Sequence, residues 1–283
     1  MGNLRIRWLF RYSHDWHLSF NHILPWAMSD CPYTVTDSLD ADWVISIYGT
    51  GDEDFEYLST LPGERFALLG EPSQSARPGA GVRLFANAGA GDRASWSSPT
   101  LILWSPPTSN PKIHKCSAIE SGHYAWRTTL LDGLTSRIGG VEGFGGYFNR
   151  PLGGKHGWHN EKYLGIRDYC FSIGLENSSV TDYVTEKLND IIMNEAVAIY
   201  SGAPNWDDYF IEEAVITPAD VEKIAWDDWR REYEKRRPAV LAQKELLRTR
   251  FNVFRYFAAL AQQPGLLSEA RPITKGTVLR RQS

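Results

Sequence analysis

Cysteine is scarce: Cys31, Cys116 and Cys170 are the only three in 283 residues, odd in number and far apart, which excludes a disulfide framework. Such usage points to a reducing compartment, with the cytoplasm as the default. Long apolar runs are also lacking, and none approaches the roughly 20 residues that a membrane helix needs. The opening stretch MGNLRIRWLFRYSHDW breaks its apolar residues with Arg5, Arg7 and Arg11, so it lacks the core of a secretory signal and reads as a first strand. This leaves peripheral contact with a membrane surface open. Charge of one sign is missing too. With 34 acidic and 30 basic residues, the net charge of −4 does not recruit nucleic acid. The basic run RREYEKRR, Arg230 to Arg237, is interleaved with acids and reads as a solvated helix face.

Several motifs are absent as well. No internal repeat or low-complexity tract is seen. The glycine-rich GGVEGFGG has neither the Gly-Lys-Ser/Thr ending of a phosphate loop nor a GxGxxG pattern, so a turn-rich strand is the better reading. His14/His17 and His156/His159 have H-x-x-H spacing, but neither pair has a glutamate in the zinc-protease arrangement, and no metal site is expected. No cofactor is called for.

What is present is a soluble globular composition, 42% hydrophobic and 23% charged, arranged as short apolar bursts between turn signals. Residues 4–10, 43–49, 65–70, 82–86 and 100–104 read as buried strands, with helical segments at 17–28 and 54–60. That alternation predicts an α/β fold with a mainly parallel sheet. SPPTSNPK (105–112) has the composition of a linker, after which the rhythm restarts. The second series holds a strand at 115–121, a helix at about 123–136, a glycine-rich strand region at 139–148, a helix near 160–168, a strand at 170–175, a helix at about 183–194 and a strand at 196–202. Residues 1–110 and 113–240 are therefore expected to form two Rossmann-like domains. A mostly helical segment from about Pro218 to Gln263 follows. Its part at about 245–263 carries Leu246, Phe251, Phe254, Phe257 and Leu260 at helical spacing and suits packing back on the first domain. The tail 264–283 reads as flexible and basic.

The richest polar stretch is GLENSSVTDYVTEKLND, Gly174 to Asp190. A strand ending at 175 delivers Glu176, Asn177, Ser178 and Ser179, and Asp182 is the expected N-cap of the next helix. Val184, Leu188, Ile191 and Ile192 share its packed side, and Tyr183, Glu186, Lys187 and Asp190 the other. Open α/β sheets bind ligands beyond the carboxyl ends of their strands, and a helix N-terminus favours phosphate. A nucleoside diphosphate suits this place. Lys187 can neutralise phosphate, Glu186 can accept from a ribose diol, and the Asn177 to Ser179 run supplies hydrogen bonds. A polar cap on an exposed helix reads equally well.

Glu176-Asn177-Ser178, then Asp182-Tyr183-Val184-Thr185-Glu186-Lys187, then AIYSGAPN (198–205) together resemble the donor-binding signature of the α-1,3/4-fucosyltransferases, glycosyltransferase family 10. The short bacterial members, which lack the anchor and stem of the animal Golgi enzymes, are the most similar. The resemblance covers roughly residues 114–215. It implies a GT-B fold, with two facing Rossmann-like domains, the acceptor on the first and GDP-fucose on the second. It also implies inverting transfer of fucose to a hydroxyl of a GlcNAc or Glc unit, with an α-1,3 linkage expected. By the same resemblance, Glu176, Asn177, Ser178, Tyr183, Glu186 and Lys187 bind the donor. SAIESGHYAWRTTLLDGL (117–134) supplies a diphosphate-binding arginine, Arg127, whose fork suits phosphate oxygens. RFALLGEPSQS (65–75) supplies the catalytic base, Glu71, held extended by Pro72. Tyr169-Cys170-Phe171 stands where relatives often carry a basic residue. Trp8, Trp16, Trp26 and Trp43 are mostly core candidates, with sugar stacking open to some. Competing readings are a transferase using another nucleotide sugar, a non-catalytic sugar- or nucleotide-binding protein, and an interaction protein built on the aromatic C-terminal helix.

Overall fold

The computed structural model describes residues 4–10, 33–36, 38–47, 57, 59–69, 82–86, 108–152, 162–181 and 183–249. The chain divides into two compact units: Met1–Thr100 with Val180–Tyr183 and Arg250–Ser283, and Leu101–Ser179 with Val184–Thr249.

The first unit contains strands β1 (Leu4–Phe10), β2 (Tyr33–Val35), β3 (Trp43–Ile47), β4 (Glu64–Leu69) and β5 (Val82–Ala86). All neighbouring strands are parallel, in the order β2-β1-β3-β4-β5. Strands inside a parallel sheet are covered on both faces and therefore run apolar. Ile6, Val44, Ile45 and Phe66 are accordingly sealed from solvent. Trp43 is buried with its ring centroid 5.0 Å from that of Phe66, so it is core. Trp16, Trp26 and the side chain of Trp8 lie outside the described residues.

The second unit contains β6 (His114–Ile119), α1 (Ala125–Ile138), β7 (Val141–Phe144), β8 (Tyr169–Leu175), α2 (Glu186–Met193), β9 (Val197–Ser201), β10 (Val215–Ile216) and α3 (Trp229–Thr249). Its sheet is also wholly parallel, in the order β10-β9-β8-β6-β7. Counted from its own first strand, that is the same 2-1-3-4-5 arrangement as in the first unit. Every residue of β8 is buried. Gly174 lets α2 lie close against this strand, because a Cβ there would stand 2.9 Å from Ile191 Cδ1 and from the Lys187 carbonyl oxygen. Leu188, Ile191 and Ile192 fill the contact, as their spacing predicts. On α3 the buried residues are Tyr233, Val240, Gln243 and Leu247, while Arg230, Arg231, Lys235 and Arg237 are exposed. The basic run is therefore a solvated face, apart from Arg236, which bonds Glu232 at 2.7 Å and the Glu213 carbonyl at 3.0 Å.

Three expectations change. The helix near 160–168 is a short 3-10 turn, Lys162–Gly165, followed by turn residues, where three residues separate it from β8. The helix after β8 starts at Glu186 and not near Asp182, because Thr185 caps it by accepting the Lys187 backbone N–H at 3.3 Å. The segment after Pro218 first makes two 3-10 turns, Val221–Lys223 and Trp226–Asp228, before α3 begins. Strands β2 and β10, of three and two residues, are too short to leave a periodic signal. The strand at 100–104, the helix at 17–28, the residues Phe251, Phe254, Phe257 and Leu260, and the tail 264–283 lie outside the described residues.

Candidate functional site

In the order β10-β9-β8-β6-β7 the chain leaves β6 in one direction for β7 and returns to its other side for β8. The carboxyl ends of β6 and β8 thus form the topological switch point, where open α/β sheets bind ligands. Glu120 follows β6, and Glu176 and Asn177 follow β8. Arg127, on the first turn of α1, ties the two ends together. Its Nε and Nη2 donate to Glu120 Oε2 at 2.9 and 2.5 Å, and its Nη1 donates to Asn177 Oδ1 at 2.5 Å. Glu120 Oε1 accepts the Gly122 N–H at 3.0 Å. Both charged side chains are buried, at 6% and 2% exposure. Burying an ion pair contributes little net stability, but losing one partner is costly, so such a pair fixes orientation. One edge of the guanidinium is committed to Glu120 and one Nη1 hydrogen to Asn177, which leaves one hydrogen on each Nη as the remaining fork.

Glu176 is the post of the second half. It has no exposed surface; Oε1 accepts the Thr185 N–H at 2.8 Å and the Tyr200 hydroxyl at 3.4 Å, while Oε2 accepts the Thr185 hydroxyl at 2.7 Å. Lys187 Nζ lies 3.3 Å from Glu176 Oε2 and 3.2 Å from Glu186 Oε1. Burial by itself pulls this ammonium down, but Glu186 and Glu176 outweigh it and hold its pKa above the ordinary lysine value. Lys187 is thus a fixed cation. Gly202 makes this packing feasible: a Cβ there would meet the Tyr200 hydroxyl at 2.2 Å and Glu176 Cγ at 2.4 Å. The Tyr200 and Gly202 of the AIYSG stretch are therefore the supports of Glu176.

The structure brings together Arg127 and Asn177, and Glu176, Glu186 and Lys187. Ser178 is half-buried in the same loop, and Ser179 donates to the Gly202 carbonyl at 2.9 Å. Tyr183 precedes the helix, groups with the first unit and has no exposed surface for a ligand to touch. Asp190 is likewise fully buried, so it does not share an open face with Glu186. The expectation that helix N–H groups bind phosphate is altered by Thr185, which already occupies the Lys187 N–H. No role for Glu120, Thr185 or Tyr200 is read from the sequence, although Thr185 and Tyr200 stand within the quoted motifs; for Glu120 the available signal is an acid in the strand-to-helix loop seven residues ahead of Arg127.

Glu71 lies outside the described residues, two positions beyond the end of β4. His14, His17, His156 and His159 do so as well. Among the described residues, no group of three His, Cys, Asp or Glu could hold a metal ion. Burial pushes the Cys170 thiol up to about 12, which keeps it protonated and unsuited to nucleophilic attack. Among the described residues, no helix is long and apolar enough to cross a membrane.

Residues 116–226 match the glycosyltransferase family 10 (fucosyltransferase) C-terminal domain. The crystal structure of an α1,3-fucosyltransferase is similar at 17% identity and a TM-score of 0.54, over 94% of this chain and 90% of that one. An α1,3-fucosyltransferase with GDP is similar at 16% identity and a TM-score of 0.51, over the same shares. At these identities the likeness is one of fold, the GT-B type. Comparison with curated protein sequences returns no match.

Proposed function

We propose, on the premise that residues 116–226 belong to glycosyltransferase family 10, that the chain transfers L-fucose from GDP-fucose to a glycan hydroxyl with inversion at the anomeric carbon. The acceptor unit is GlcNAc or Glc, and the linkage α-1,3. One observation carries the reading: within the family-matching segment, Arg127 and Lys187 are held as fixed cations beside the switch point of the second sheet. Cleavage of a sugar–diphosphate bond leaves negative charge on GDP, which preorganised cations stabilise without reorganising. The outer fork of Arg127 takes diphosphate oxygens, and Lys187 turns from its carboxylates to the same charge. Glu186 accepts from the ribose diol, Asn177 and Ser178 complete the hydrogen bonds, and Glu176 holds Thr185 and Lys187 in place. Glu71, carried by its resemblance to the family's base, takes the proton of the attacking acceptor hydroxyl. With the leaving group met by side-chain cations, the chemistry needs no divalent metal and no cofactor. The free, buried thiols Cys116 and Cys170 suit a reducing compartment such as a bacterial cytoplasm.

Calorimetry with GDP, UDP and CDP tests the base preference: GDP binds tightest, and tighter UDP binding overturns the donor. Mass spectrometry after incubation with GDP-fucose and galactose- and N-acetylglucosamine-containing acceptors identifies the product. Chelator-treated enzyme retains transfer; complete loss, restored by magnesium or manganese, overturns the role given to Arg127 and Lys187.

A further inference from the structure

The geometry points to Lys162 as a positioning residue that aims Glu186 at the ribose diol, with Asp190 as its anchor. The inference rests on the proposed ribose role of Glu186. Lys162 opens the 3-10 turn before β8, far from α2 in sequence, yet its side chain is only 16% exposed and reaches that helix. Its ammonium lies 3.3 Å from Asp190 Oδ2 and 3.8 Å from Glu186 Oε1. Glu186 and Asp190 are four residues apart on one helix, a spacing at which like charges repel. The Asp190 carboxylate is fully buried, which requires a compensating charge. Lys162 meets both needs at once.

Its importance grows when the donor arrives. Among the described residues, Glu186 Oε1 has two ammonium neighbours, Lys187 at 3.2 Å and Lys162 at 3.8 Å. The proposed turn of Lys187 toward the diphosphate removes the nearer one. Among the described residues, Lys162 is then the cation left beside Glu186, and it holds the carboxylate turned toward the diol, whose two hydroxyls its oxygens accept. Lys162 does not touch the nucleotide.

The test compares GDP with 2′,3′-dideoxy-GDP, which lacks both hydroxyls, by calorimetry on the full chain. The wild-type protein binds GDP on the order of 10-fold more tightly than the dideoxy compound, the worth of a hydrogen bond to a charged group. Lys162→Met shrinks that ratio to about 2-fold or less through weaker GDP binding, leaves the dideoxy affinity nearly unchanged, and Lys162→Arg restores the ratio. Because Lys162→Met removes a charge partner of the buried Asp190, the double variant Lys162→Met/Asp190→Asn is measured as well and gives the same collapse. An equal loss for both nucleotides, or an unchanged ratio in the folded variants, overturns the proposal. A wild-type ratio near one, or a ratio that survives Glu186→Gln, removes the ribose role of Glu186 and this inference with it.

Discussion

At the strand starts of the first sheet stand charged groups: Arg5 at the start of β1 donates its N–H to the Asp42 carboxylate at 2.7 Å and its guanidinium to Asp40 at 3.3 Å. In the second sheet they gather at both ends. Glu120, Arg127, Glu176 and Lys187 lie where strands finish, and Lys112, Asp168 and Glu195 where they start. Both sheets have the same strand order and wholly parallel pairing. A shared topology offers a crevice at the switch point in each, but only side chains turn a crevice into a site. In the second unit a buried ion pair and a buried carboxylate post stand beside that crevice.

The largest expected effect would sharpen this comparison by showing that the first unit carries chemistry of its own. Glu71→Gln keeps size and hydrogen bonding while removing the base, so transfer falls by about 10²–10⁴-fold and GDP affinity barely changes. Steady-state transfer and GDP calorimetry on the folded variant read both quantities. Near wild-type transfer would falsify the assignment of the base.

The next effect belongs to the second unit alone. Lys187→Ala weakens GDP binding by roughly 10–100-fold and lowers turnover, since a phosphate partner is lost in ground and transition states alike. A smaller loss follows Glu120→Gln, which keeps the shape but not the charge that orients Arg127. Donor KM rises by about 3–10-fold while acceptor KM stays put, as weakening one charge-assisted bond predicts. A parallel rise in acceptor KM would mean that Glu120 supports the fold rather than the donor site.

Physical reasons separate what the sequence makes legible from what it hides. Strands β1, β4, β6, β8 and β9 are readable because apolar bursts bounded by turn residues have few other uses, and α1 shows its helical period. The packed side of α2 is equally plain, since Leu188, Ile191 and Ile192 repeat at helical spacing and all are buried. Its start is not. Asp182 and Thr185 are both good N-caps, and the choice falls to Thr185 through Glu176, nine residues back, which binds both its N–H and its hydroxyl. Local propensity cannot see that bond. The donor-side motif is legible as a resemblance, but Glu120 and Lys162 become visible only when β6, β8 and α2 converge, because their partners lie at distances no spacing rule covers.

The smallest effect sharpens the comparison at the amino ends of the two sheets. Lys112, just before β6, donates to the Arg167 carbonyl at 2.6 Å and to the Asn194 carbonyl. Burial pulls its ammonium down to about 8 against the raising influence of Glu195. The ordinary value is 10.5, so between pH 8 and 10.5 the unfolded chain binds more protons here than the folded one. Stability contributed by Lys112 therefore rises with pH through that window. Denaturant titrations of wild type and Lys112→Met at pH 7 and 9 isolate the group, and the wild-type advantage grows by about 1 kcal/mol between them. Arg5 in the first sheet makes the contrasting case. Its partner Asp40 raises its pKa, but both side chains are open to solvent, at 40% and 72% exposure, and an exposed pair contributes little. Arg5→Ala leaves the melting temperature unchanged at either pH. A flat difference for Lys112→Met would mean that the two carbonyls keep the lysine charged after all, and that the amino ends of the two sheets are electrostatically alike.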